Sequence, residues 1–165
     1  MQPEMLKVLH QKLEQPDSPR NIELVRGEAS KTTLGSKCAD VVLIANVWHE
    51  LDDHEGALQE AARILLPGGT LALLDWRPNR NSPPGPPSDH RLSASDVVKF
   101  LTKHNWTTAP PVNLGHYSYF ISARPPDLVE PISGHNRGEN TLTLATSGSS
   151  IDGEAGVGRA GRRGG

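Results

Sequence analysis

Two short apolar runs separated by one amphipathic stretch restrict the fold of this chain more than any other feature of its 165 residues. Asp40-Val41-Val42-Leu43-Ile44-Ala45 is nearly continuous in β-branched and other apolar residues, the pattern of a strand buried on both faces of a parallel sheet. Thr70 to Leu74 forms a second such strand. Between them Ala57, Leu58, Ala61, Ala62, Leu65 and Leu66 share one face of a helix expected over Glu55 to Leu66, which Pro67-Gly68-Gly69 stops. Strand, helix and strand in this order imply parallel strands joined by a right-handed crossover. The expected fold class is therefore α/β, a Rossmann-like sheet with helices on both faces.

The flanks extend the same architecture. Met5, Val8, Leu9 and Leu13 predict a helix over residues 4 to 14, ended by Pro16-Asp17-Ser18-Pro19. Asn21 to Val25 alternates as a short strand closed by Gly27. The five prolines between Arg77 and Asp89 predict a projecting loop. Ser93 to Lys103 returns to helical spacing, with Ser93 or Ser95 as cap, and Trp106–Val112 and Tyr117–Ala123 read as a last pair of strands. After Arg124 glycine, serine, asparagine and proline dominate and aromatic residues vanish. The expected organisation is a domain over 1–124 and a flexible tail over 125–165.

Charge narrows the choice of partner. A net charge of −2 gives no electrostatic drive toward nucleic acid or an anionic membrane, so a small molecule is expected. The lone Cys38 rules out an internal disulfide or a cysteine-based metal cluster and suits a reducing, cytoplasmic setting. Neither a secretory h-region nor a membrane-length apolar run is present. Asn105-Trp106-Thr107 matches a glycosylation acceptor, which without a signal peptide reads as chance. His49-Glu50-Leu51-Asp52-Asp53-His54 invites a metal reading, but its histidines are five apart where a zinc-binding helix needs four, so no metal is expected.

Glu4-Met5-Leu6, Asn21 to Ala29 and Asp40 to Leu43 together resemble successive motifs of class I S-adenosylmethionine-dependent methyltransferases of the ubiquinone/menaquinone type. Ala61-Ala62-Arg63-Ile64-Leu65-Leu66-Pro67-Gly68-Gly69-Thr70-Leu71 resembles the helix-to-strand junction of that family, the most specific of these signals. Asp75-Trp76-Arg77, Gly85-Pro86-Pro87 and His90-Arg91-Leu92-Ser93 are similar to a bacterial and archaeal subgroup. The resemblance covers residues 2 to 123 and implies a sheet ordered 3-2-1-4-5-7-6, of which this chain would hold strands 3 to 7. Strands 1 and 2, with the glycine-rich loop that meets the cofactor, have no counterpart here. The sequence looks as though its first ~50 residues had been cut away, by ordinary βαβ lengths.

The resemblance implies S-adenosylmethionine as cofactor and a small-molecule methyl acceptor. Glu28 and Ala29 fall where adenine would be recognised, although a solvated loop carboxylate fits Glu28 equally, and Met5 can pack on adenine or simply in a helix core. Asn46, Val47, Trp48 and His49 follow the central strand, and ligands of such sheets bind at strand C-terminal ends. Asn46 and Val47 are expected at the cofactor and Trp48 at the acceptor. His49 is the candidate general base, since histidine accepts a proton near neutral pH, with a capping or loop role as the alternative. Asp75, Trp76, His90, Arg91 and Tyr117 are expected to form the acceptor pocket, the aromatics giving contact area and Arg91 a fork for a carboxylate or phosphate.

Two other readings compete with catalysis. One is a non-catalytic fragment or pseudoenzyme that acts through a partner subunit, or a homo-oligomer, completing the sheet. The other is RNA binding through Gly158-Arg159-Ala160-Gly161-Arg162-Arg163-Gly164-Gly165, which three arginines without interleaved aromatics support only weakly.

Overall fold

Alternate residues of one long strand decide which side of the sheet becomes the core. In β3 (Leu65–Trp76) the odd-numbered residues from Gly69 onward are buried, with Leu71 and Leu73 fully inaccessible, while Ala72, Leu74 and Trp76 stay half-buried. The structure is a computed structural model and describes residues 3–78, 85–126 and 142–146. In chain order the elements are α1 (Pro3–Leu13), β1 (Ile22–Arg26), β2 (Ala39–Ala45), α2 (His54–Ile64), β3, α3 (Ala94–Lys103), β4 (Thr107–Thr108), β5 (Val112–Leu114), β6 (Ser118–Arg124) and β7 (Leu142–Thr146). Single 3-10 turns occupy Trp48–Glu50 and Ser88–His90.

β2 and β3 pair in parallel, as the crossover helix between them requires, and β6 pairs antiparallel with β3. The order is β2-β3-β6-β4, with β5 also on β6. This is the 4-5-7-6 half of the expected order, in an α/β fold with a mixed sheet. Prolines 110 and 111 lack amide donors and divide the strand expected over 106–112 into β4 and β5.

Two expectations need correction. Helices were expected on both faces, but α2 and α3 share one core: Ala57, Leu58, Ala61, Val97 and Leu101 meet Leu71, Leu73, Tyr119, Ile121 and Ala123 on the same side. Residue parity in β3 and β6 puts their most deeply buried side chains there. For the same reason β2 is not buried on both faces. Val42 and Ile44 pack against that core, whereas Val41 and Leu43 are 57% and 51% exposed. Within the segment expected as a tail, Leu142–Thr146 forms β7, which pairs in parallel with β1. Leu142-Thr143-Leu144-Ala145-Thr146 carries a local strand pattern that the bulk composition of the tail conceals. Residues 79–84 of the proline-rich loop and the Gly/Arg segment 158–165 lie outside the described residues.

α2 begins at Asp53, whose Oδ1 accepts from the Gly56 amide at 2.8 Å, and α3 begins at Ser93, whose hydroxyl accepts from the Asp96 amide at 3.2 Å. α2 ends two residues before the expected Leu66, because Leu65 already pairs with Ala39. The register then jumps to Thr70 opposite Val41, so the strand steps around Pro67-Gly68-Gly69. Gly68 has φ +79°, and a Cβ on Gly69 would lie 2.9 Å from the Leu66 carbonyl and 3.1 Å from that of Asp40. Gly69→Ala is expected to destabilise the fold by about 1–3 kcal/mol. The readout is a lower urea midpoint at unchanged slope, and an unmoved midpoint would mean that β2 and β3 give way without cost.

Loop 30–36 is fastened to α2 by charge. Glu60, 8% exposed, accepts from the Arg63 Nε and Nη2 at 2.7 Å each and from the Thr32 amide and hydroxyl at 2.8 and 2.6 Å. Arg63 also donates to the Leu34 carbonyl and the Ser36 hydroxyl. The Arg63 guanidinium, opposed by burial and aided by Thr32, holds the Glu60 carboxyl down from 4.5 to about 2.

Candidate functional site

The C-terminal ends of β2 and β3 and the start of β6 meet at one end of the sheet, and most of the expected acceptor-side residues gather there. Asn46 leaves β2 with φ +54° while its amide donates to the Leu74 carbonyl at 2.8 Å. Asparagine tolerates this left-handed conformation better than most residues, and it turns the chain directly into the Trp48–Glu50 turn.

That turn lays His49 against Asp75. The His49 amide donates to Asp75 Oδ2 at 3.0 Å, and its ring Nδ1 stands 2.7 Å from Oδ1. The Trp76 amide also donates to Oδ1, at 2.7 Å. The His49 and Asp75 side chains are 3% and 1% exposed. A carboxylate only accepts, so Nδ1 carries the hydrogen, and in the neutral imidazole the lone pair is then on Nε2. Nε2 is buried with no hydrogen-bond partner among the described residues, Glu50 Oε1 being 3.6 Å away.

Tyr119 belongs to this group although the sequence did not single it out. It is the cross-strand partner of Asp75 and 2% exposed, and its hydroxyl has no hydrogen-bond partner among the described residues. Burial, reinforced by the Asp75 charge, raises its ionisation well above the usual phenol range, so the hydroxyl stays protonated. Strand parity puts Tyr117 and Tyr119 on the same face, so only the β3–β6 register, which sets Tyr119 opposite Asp75, distinguishes them.

The other expected residues divide by environment. Trp48 is 1% exposed and belongs to the core, edge-on to His54 and Phe100. Trp76 is half-buried beneath the returning loop: Gly85 leaves no room for a Cβ against its ring, and the Arg91 guanidinium lies 5.8 Å from the ring centroid. Arg91 is buried and donates to the carbonyls of Pro86 and Arg77, so its fork fastens the loop. His90 is exposed and Tyr117 half-buried. On the cofactor side, Met5 is 63% exposed, Glu28 and Asn46 are exposed, and Ala29 and Val47 are half-buried. Met5, Glu28 and Ala29 belong to the β1 side, and β1 is not bonded to β2 among the described residues. No described group of histidine, cysteine or acidic side chains has the arrangement of a metal site, and no described helix is long and apolar enough to cross a membrane.

Comparison with known proteins agrees with this geometry. A methyltransferase domain family matches residues 1–73. An uncharacterized methyltransferase of Mycobacterium tuberculosis is 40% identical over 72 residues, 44% of this chain and 27% of the relative. A demethylmenaquinone methyltransferase of Listeria monocytogenes is 35% identical over 71 residues, 43% of this chain and 30% of the relative. The chain thus spans under a third of the curated relatives it matches. The crystal structure of a SAM-dependent methyltransferase from Aquifex aeolicus superposes with a TM-score of 0.67 at 26% identity, over 74% of this chain and 64% of that one. Over its first 73 residues the chain is similar in sequence to a methyltransferase domain, and over about three quarters of its length it shares the fold of an S-adenosylmethionine-dependent methyltransferase.

Proposed function

We propose that the chain serves S-adenosylmethionine-dependent methyl transfer to a small-molecule acceptor in the cytoplasm. The observation that carries this reading is the buried His49–Asp75 pair at the strand ends, in a chain whose first 73 residues match a methyltransferase domain. The cofactor supplies an electrophilic methyl group, and the protein's contribution is to hold the acceptor in line with it and receive a proton.

The described residues fit the adenosine side of that cofactor. Glu28, two residues past β1, opens a tight turn in which the Lys31 amide donates to its carbonyl, leaving the exposed carboxylate available to an exocyclic amine. Ala29 would offer a backbone donor and Met5 an apolar surface beside it. Asn46 and Val47 would border the reacting end, and Trp76, Tyr117, His90 and the loop fastened by Arg91 would border the acceptor. The exposed Val41 and Leu43 favour a second copy or a partner subunit that completes the sheet beside β2.

Isothermal titration of the folded chain with S-adenosylhomocysteine tests this, with size exclusion run alongside. Saturable micromolar binding is expected, and its loss in Glu28→Ala would assign the adenine end. A folded chain that shows no binding heat and no competition overturns the reading.

A further inference from the structure

We propose that the face of the sheet opposite α2 and α3 binds a second copy of this chain, the two sheets packing face to face about a twofold axis that runs along β3. The proposal stands apart from methyl transfer, and it gives the second copy suggested at β2 a place on the face of the sheet and not along its edge.

Register defines that face. Leu43 of β2 lies beside Ala72 of β3, which lies beside Ser122 of β6, and a neighbouring row joins Leu74, Phe120 and Val112. α2 and α3 pack on the opposite face, and α1 packs on β1. Val41, Leu43, Val112 and Leu114 are consequently each more than half exposed. Soluble monomers seldom leave so continuous an apolar surface in water.

Charge selects the occupant. From Val41 across to Leu114, every residue that the register sets on this face is uncharged, so a basic or acidic partner finds nothing to pair with. The charges stand at one end. Asp40 at the start of β2 and Arg124 at the end of β6 are both exposed, with β3 between their strands. A twofold axis along β3 keeps strand direction and exchanges β2 with β6. Asp40 of each copy then meets Arg124 of the other, and Leu43 meets Ser122. The surface is thus complementary to itself, as a twofold contact requires. Sheets packed face to face lie about 10 Å apart and within about 30° of alignment, a separation that an arginine and an aspartate side chain together bridge.

The overlap is small. Three strands about 4.8 Å apart, each contributing five residues of about 3.3 Å, cover a rectangle of about 14 by 17 Å, in the size class of reversible complexes. A dimer that dissociates at roughly tens of micromolar is therefore expected. Because strand direction is preserved, the candidate sites of both copies open at the same end of the dimer.

Sedimentation velocity of the full chain over a concentration series tests the proposal, with circular dichroism confirming that each variant is folded. The unmodified chain is expected to pass from monomer to dimer. Leu43→Lys and Ser122→Lys should each abolish the dimer over that range. Asp40→Arg and Arg124→Asp should each weaken it about tenfold, and the two together should return it to within about threefold of the unmodified chain. This exchange of exposed charges keeps the test independent of whether the lysine variants fold. A monomer at every concentration overturns the proposal. So does a dimer indifferent to Ser122→Lys and Arg124→Asp, which would mark edge-on pairing through β2, and so does a double variant that folds without regaining the dimer.

Discussion

Trp48→Ala is expected to lower stability by about 3–5 kcal/mol, a large part of the 5–15 kcal/mol that holds a typical domain together. The ring is 1% exposed, with centroids 4.6 Å from His54 and 5.9 Å from Phe100. Its loss would leave a cavity between the turn after β2 and α3. His54 has a second stake in the position, because its Nε2 donates to the Trp48 carbonyl at 2.8 Å. A urea titration followed by circular dichroism gives the size of the effect, and Trp48→Phe should recover a substantial part of it. A loss below about 1 kcal/mol would contradict the core assignment and return the ring to the acceptor side.

Glu60 is expected to make the fold acid-sensitive. A carboxyl whose folded value lies below its unfolded one contributes stability above the unfolded value and loses it as pH falls through the folded one. Here the contribution is complete above 4.5 and disappears toward about 2. Allowing for solvent screening at Arg63, whose side chain is 36% exposed, it amounts to about 2 kcal/mol. Urea midpoints measured across that window should fall for the unmodified chain. In Glu60→Gln the midpoint should start lower and change less with acid. Parallel curves for the two proteins would show that the carboxylate does not anchor the loop at Thr32 and Ser36.

Patterns that depend on near neighbours could be read from the sequence, and those that depend on register or on distant chain could not. The β2-α2-β3 unit follows from apolar spacing and caps, and the strand order follows from the family resemblance. The single covered face of β2 escaped because an apolar run is the same whether one side is covered or both, and only the positions of α2 and α3 decide. β7 escaped because five alternating residues were outweighed by their glycine-rich surroundings. At the candidate site, strand-end position singles out His49 and Asp75, which the structure places in contact. Their bonding could not be read: the Asp75 carboxylate accepts from the His49 and Trp76 amides and lies 2.7 Å from the His49 ring. Tyr119 depended on the β3–β6 register, which no local pattern encodes.

The antiparallel placement of β6 between β3 and β4 also sets an order of assembly. Leu71 and Leu73 are covered from the side by Ala123 and Ile121, which leave the ribosome long after β3 does. Until then β3 has β2 along one edge and nothing along the other, and α3, which shares the core with β6, has no β6 to pack on. The chain therefore closes its core late, through a long-range pairing that folds slowly and leaves an adhesive strand edge open during synthesis. Substitutions in β6 should accordingly lower the yield of folded protein more than their cost in the finished structure would indicate.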